Sequence, residues 1–378
     1  MKIAKTVHIS LALLLISSLV GMSSLSAQAK TYAPVNLNPT QNFGAGPNGE
    51  RAALPSEFSL TDAEKAKLKA GNYTVAFCYH IQSDQVNQTK VKAAQEFLKA
   101  LNIKTVSVTD ANFKVEKQIA DIETTMALKP SVLFVMPVDP TATAKTLKNV
   151  AASGTKIVFM ENAAKGMVAG KDYIGLVNSD SYGNGKAAAD MMAQQLGYKG
   201  EVAMVFFDAA FFVTNERDRG FAETMTKNYP DIKIVSKVGF ADSNKVGEVA
   251  DGIFANFPNI KGIYASWDIP GESVIASAKS VKRTDIVITT IDMSDNTARM
   301  IATDGIVRGT ASPRSWDQGV AEAMMACYGL LGKTPPSTYV AIPTQPTMKS
   351  NVVQAYKNTY HLTVEPDWLK TAVAAGKK

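Results

Sequence analysis

What most constrains this chain is a rhythm. Short, near-continuous apolar runs alternate with amphipathic stretches of helical period, in two successive series. The first series predicts strands at 74–78, 105–108, 132–136, 157–160 and 174–177, with helices near 90–101, 115–128 and 141–152. The second predicts strands at 202–206, 232–238, 262–265, 286–291 and 307–311, with helices near 183–196, 216–228, 246–256, 272–280 and 297–303. Strands apolar on both faces belong in parallel sheets covered by helices on both sides. Two such series, each too long to share one small sheet, predict two similar doubly wound α/β lobes. A further helix at 318–331 and a Pro-rich stretch from Pro335 to Pro346 start no third domain. They read as tail segments completing the first two lobes, so the chain crosses between lobes more than once.

The first 29 residues are not read as structure. Lys2 and Lys5, the apolar stretch Ile9 to Val20 and Ala27-Gln28-Ala29 make a secretory signal peptide, cut after Ala29. The stretch is too short to anchor the chain, and no downstream run has membrane length. Removing Lys2 and Lys5 takes the formal charge from +6 to +4, with the remaining charges scattered. That distribution excludes a dedicated nucleic-acid footprint. Residues 30–55 are rich in Pro, Asn and Gly and read as an arm or linker. Thr61 and Glu64 then form a capping-box pattern for a short helix ending at Gly71. Cys78 and Cys327 read as buried free thiols; an oxidising compartment also permits a disulfide, provided their Cα atoms approach. No metal spacing appears, and "GNG" at 183–185 is a helix-start loop lacking the rest of a dinucleotide motif. No cofactor is expected.

In open α/β sheets, ligands gather beyond the carboxyl ends of the strands. Those positions carry His80 to Asp84, Pro137 to Asp139, Glu161-Asn162, Asp208 to Phe212, Trp267-Asp268, Asp292 and Arg314. Polar and aromatic groups recur there in both series, which predicts one cleft for a polar ligand.

The segments "TVAFCYHIQSDQVNQTKVKAAQEFLKALN", "KPSVLFVMPVDPTA", "GTKIVFMENAA", "TNERDRGF", "IKGIYASWD", "VITTIDMSD" and "SPRSWDQG" carry a resemblance in their order. The chain resembles the periplasmic sugar-binding proteins of ABC importers, the ribose-binding-like (type I solute-binding protein) family, from about Thr74 to the last helix. The resemblance implies a three-segment hinge, with crossings near 177–179, 312–314 and 341–343. Its implied layout is a signal peptide (1–29), an extension with a short helix (30–71), an N-terminal lobe (72–177 plus 315–341) and a C-terminal lobe (178–313 plus 342–365). It also implies ligand capture by lobe closure and delivery to an ABC permease and its ATPase subunits, by a monomeric periplasmic protein without membrane insertion.

Carried over by position, the ligand-binding residues would be His80, Asp84, Asn87, Glu161, Asn162, Phe212, Asn215, Trp267, Asp292 and Arg314. Asn162 and Asn215 stand where the family places arginines, and Val86-Asn87 where it places an aromatic pair. Ribose specificity is therefore not transferred. Carboxylates and amides suit neighbouring hydroxyls, and Trp267 with Phe211 or Phe212 would supply stacking faces. With only Arg314 facing three acids, a ligand bearing an amine comes into consideration. The bland roles stay open: Asp84 and Asp292 as helix caps, Trp267 as packing, Arg314 as a hinge ion pair. Two other functions stay open, a sugar-sensing input to a chemoreceptor or sensor kinase, and a carbohydrate-processing enzyme using His80, Asp84 and Glu161. No nucleophile elbow or phosphate loop supports the enzyme.

Overall fold

Two six-stranded sheets organise the chain in a computed structural model that describes residues 31–376. The chain divides into units 1–34 and 35–378. Of the first unit only residues 31–34 are described, without regular secondary structure, and the expected signal segment lies outside the described residues.

In the second unit the first sheet contains β1 (Thr74–Tyr79), β2 (Lys104–Asp110), β3 (Val132–Val135), β4 (Lys156–Met160) and β5 (Gly175–Ser179). The second contains β6 (Gly200–Phe207), β7 (Ile232–Phe240), β8 (Gly262–Ala265), β9 (Val287–Ile291) and β10 (Val307–Ser312). The late strands β11 (Tyr339–Ile342) and β12 (Gln345–Thr347) return one to each sheet. The orders are β11-β5-β4-β3-β1-β2 and β12-β10-β9-β8-β6-β7, with every pairing parallel except β10 with β12. The two-lobe doubly wound fold expected from the rhythm is present.

Helices cover both faces. They are α1 (Asp62–Ala70), α2 (Gln85–Lys99), α3 (Val115–Met126), α4 (Ala144–Ala152), α5 (Ser181–Gln195), α6 (Phe212–Asn228), α7 (Val246–Asn256) and α8 (Asp268–Ser280), followed by α9 (Asp295–Ala302), α10 (Ser315–Leu331), α11 (Val352–Tyr360) and α12 (Asp367–Ala375). The period of two in the strands splits the first sheet's core into two layers. Val75, Phe77 and Tyr79 face α2 and α10, whereas Ala76 and Cys78 face Ile122 and Leu147 of α3 and α4. Cys327 lies in the first layer and Cys78 in the second, so the sheet separates them and both are free thiols. The predicted capping box closes as expected: Glu64 N donates to Thr61 Oγ1 at 3.2 Å and Thr61 N to Glu64 Oε2 at 2.7 Å.

The chain passes between sheets after β5, after β10 and between β11 and β12. The arm from 35 to 58 is more than a linker. Ala53 pairs with β11 as an extra bridge, its N–H donating to Tyr339 O at 2.9 Å and its carbonyl accepting from Ala341 N at 3.1 Å. Upstream, the Asp180 carboxylate accepts from Phe43 N at 2.6 Å and Gly44 N at 3.0 Å, and Gln194 on α5 accepts from Val35 N at 2.9 Å. The arm thus fastens to the second lobe, a crossing and the first sheet in turn. At the other terminus α12 places Leu369 and Ala372 in the second lobe's core, beyond residue 365. Among the described residues no helix is long and apolar enough to cross a membrane.

Candidate functional site

The site is built where β1, β4, β6, β8 and β9 end. β1 stops at Tyr79 because the apolar run gives way to polar residues, and Asp84 caps α2 by accepting from Asn87 N at 2.7 Å. The same carboxylate accepts from Asn87 Nδ2 at 2.6 Å, so its capping role is real. Burial raises the Asp84 carboxyl, and the nearby Asp292 carboxylate raises it further, against Asn87 and Lys90.

Glu161 follows β4 in a left-handed conformation (φ 61°), which turns its side chain into the lobe beside Lys90 of α2. Lys90 and Glu161 form a buried ion pair, with Lys90 Nζ also donating to Asn87 Oδ1 at 3.3 Å. Burial alone would raise the Glu161 carboxyl; Lys90 and Arg217 override it and hold it at about 2. Behind the pair, α10 contributes Gln318, whose Nε2 donates to Glu161 Oε1 at 3.4 Å and Glu322 Oε1 at 3.3 Å. Burial pushes Glu322 to about 8, with Glu161 adding to it against Lys90.

The second lobe supplies Arg217 on α6. Its Nη1 donates to Asp292 Oδ2 at 3.3 Å and to Ser266 O at 3.4 Å, with the guanidinium buried. Its field also reaches Glu161 of the first lobe. Asp292 follows β9 with φ 67°, and the cap of α9 is Ser294 rather than Asp292. Asp268 opens α8; burial pushes its carboxyl well up, and Asp292, Asp84 and Glu272 push it further.

A close helix crossing seats each cation. On Gly185 a Cβ would lie 1.8 Å from Arg217 O, and on Gly319 one would lie 2.2 Å from Lys90 O. Gly185 belongs to the "GNG" stretch, which proves to be helix interior at a helix–helix contact. Only a residue without Cβ lets α5 approach α6, and α10 approach α2, this closely.

Several expected residues gather here: His80, Asp84, Asn87, Glu161, Asn162 and Asp292. His80 is buried with its Nδ1 unpartnered, and burial, with Lys90 assisting, lowers it to about 4. Asn162 Oδ1 accepts from Val213 N at 3.4 Å, joining the lobes. Trp267 packs on Phe207 and Phe240 at ring separations of 5.6 and 5.3 Å, half-buried at the second lobe's edge.

Three residues lie elsewhere. Asn215 is exposed, because α6 begins at Phe212 rather than near Glu216 and its inward face carries Val213, Thr214, Arg217 and Phe221. The side chain that α6 turns inward is Arg217, two residues further on. Phe212 packs on Tyr339 at 6.2 Å, against the first lobe's core. Arg314 pairs with Asp317 one turn into α10 and does not counter the acids; Lys90 and Arg217 do. Lys90 left no signal of its own, being one lysine in an amphipathic helix. Arg217 could have been found from its spacing of four to Phe221, which places both on the buried face. Among the described residues no group of His, Cys, Asp or Glu could hold a metal ion.

The family described as "Periplasmic binding protein domain" matches residues 75–334. The D-apiose import binding protein of Actinobacillus succinogenes is 25% identical over 150 residues, covering 39% of this chain and 48% of that protein. The xylitol-binding protein of Mycolicibacterium smegmatis is 25% identical over 198 residues, covering 52% of this chain and 55% of that protein. The chain thus spans about half the length of these relatives. A solute-binding protein of Agrobacterium vitis, solved with α-D-tagatopyranose, superposes with a TM-score of 0.69 at 20% identity, covering 76% of this chain and 98% of that one.

Proposed function

The chain belongs to the periplasmic binding protein domain family, and from that premise we propose that it captures a small sugar, polyol or amino sugar between its lobes and hands it to an ABC permease. The observation that carries the reading is the buried Arg217, whose guanidinium on the second lobe binds Asp292 close to where Asn162 of the first lobe accepts from Val213 N of the second at 3.4 Å. A ligand seated between the lobes would meet preorganised acceptors and donors from both, and bridging them is what favours a closed form. The D-apiose import binding protein and the xylitol-binding protein among its relatives support the same chemical class.

The charge balance favours keeping amines in view. Lys90 answers Glu161 and Arg217 answers Asp292, and among the described residues no ion pair reaches Asp84 or Asp268. A ligand ammonium would relieve that excess.

The test is a thermal-shift panel of pentoses, hexoses, tetritols, hexitols and amino sugars, followed by calorimetry on the best hits. A saturable stabilisation with the sugar recovered unchanged supports a binder. Turnover would transfer the site to carbohydrate processing, and a panel without any stabilising compound would overturn the proposal. Delivery is tested separately, by reconstituting uptake with the candidate permease and ATPase; binding without uptake favours the sensing role.

A further inference from the structure

The sheet orders put β2 and β1 at one edge of the first lobe and β7 and β6 at the matching edge of the second, remote from β11 and β12. Aromatic groups collect beyond these edge strands. Phe113, in the loop after β2, sets its ring edge-on to His80 with centroids 4.7 Å apart. His80 lies 6.4 Å from Phe211 of the second lobe, and Phe211 lies 6.1 Å from Phe207. The rings therefore run from one lobe to the other.

Phe113 is unusual in two ways. Its backbone is left-handed (φ 57°), directly after Asn112 at φ 51°. Asparagine tolerates that region, whereas a bulky aromatic residue is an outlier there. The turn is held by Phe113 N donating to His80 O at 2.8 Å and Lys114 N to Ala111 O at 2.9 Å. Yet Phe113 is 50% exposed, so its own burial does not account for the strained backbone. Beside it, the buried His80 leaves Nδ1 without a partner. Strain held at an exposed aromatic, next to an unsatisfied buried polar atom, is the pattern of a ligand clamp.

We propose that Phe113, with His80, walls the open edge of the cleft and makes the site select a cyclic sugar over the open-chain alditol of the same carbon skeleton; this rests on the sugar-or-polyol reading above. A sugar ring presents a rigid, contiguous C–H face to an aromatic wall while its rim keeps its hydrogen bonds. An alditol must freeze several torsions to present an equivalent face, and so gains less from the same wall.

Calorimetry on the full chain with paired ligands tests this: xylose against xylitol, ribose against ribitol, arabinose against arabinitol and glucose against glucitol. For the pair that binds, the aldose is expected to be favoured by about tenfold or more, and Phe113→Ala to reduce that preference by about three- to tenfold. Phe113→Tyr should retain it. Phe113→Gly relieves the left-handed strain, so it should keep or raise the melting temperature of the unliganded protein while losing the same preference. A merely structural Phe113 predicts the reverse, lower stability with discrimination intact, and that result overturns the inference. Alditols binding as tightly as aldoses would also overturn it, leaving the sugar-or-polyol reading in place. If neither class binds, that reading falls and the inference with it.

Discussion

Lys90 and Glu161 meet inside the first lobe where α2, α10 and the end of β4 converge, with side chains only 2% and 7% exposed. A pair so enclosed is stable only while both partners remain, since removing one leaves a buried charge. Glu161 holds Lys90 in its charged form against burial, with Glu322 assisting. Lys90→Met is therefore expected to lower unfolding free energy by about 3 kcal/mol in urea melts, and the Lys90→Met/Glu161→Gln double variant to regain most of it. Equal losses in both would show that the lysine stem, rather than the charge, mattered.

Arg217 and Asn215 lie half a helical turn apart and point in different directions. Calorimetry with the best ligand of the panel should show Arg217→Met weakening binding by about tenfold or more, the scale of a lost charge-assisted contact. Asn215→Ala should leave affinity within about twofold, as expected of an exposed substitution. The opposite ranking would return the site to the residue expected from sequence.

The two glycines beneath the cations can be separated from glycines in open space. A Cβ at Gly185 or Gly319 meets main chain, whereas one at Gly247 in α7 meets no atom within 4 Å. Gly185→Ala and Gly319→Ala should each destabilise by about 1–3 kcal/mol through overpacking. Gly247→Ala should stabilise by about 0.5–1 kcal/mol, as helix propensity dictates. Chemical denaturation of the three variants checks the contrast.

His80 sets an acid limb. Its pKa falls from 6.5 to about 4 because burial, with Lys90 assisting, disfavours the imidazolium. Between those values the unfolded chain binds the proton and the folded one does not, so stability rises with pH and is lost as pH drops from 6.5 to 4. His80→Gln should flatten that part of the stability–pH curve by about 3 kcal/mol.

Glu322 acts in the opposite sense. Its pKa rises from 4.5 to about 8, burial being the main cause, so the folded chain holds a proton that the unfolded one has released. Stability from this group is present below pH 4.5 and fades as pH rises towards 8. Glu322→Gln, which keeps an acceptor for Gln318, should gain at least about 1 kcal/mol on wild type between pH 5 and pH 9, measured by urea midpoints.

Much of the molecule was legible in the order of its residues. β8 and α7 fall on the expected residues, 262–265 and 246–256, because continuous apolar runs and helical periodicity are local properties. The clustering of His80, Glu161 and Asp292 followed from the strand-end rule, which needs only strand positions and a parallel sheet. Helix starts were less legible. α6 begins at Phe212 with no side-chain cap from Phe211, so no capping signal marked it, and Asn215, carried over by position from the resemblance, lies on the exposed face of that helix while Arg217 lies on the buried one.

The remaining features belong to tertiary structure, because each depends on how groups pack in space, which spacing along the chain does not fix. Lys90 and Glu161 are 71 residues apart, and nothing local to either indicates the other. Arg314 could have reached the cleft acids or Asp317, and packing at the head of α10 decided for Asp317. Ala53 sits in an unpatterned arm and became part of the first sheet because β11 left an edge to pair with. Local sequence sets the period of each element and hence the fold class. Which charge answers which, and which glycine yields to which carbonyl, is settled only when the elements pack, since Coulomb and contact energies depend on separation in space rather than along the chain.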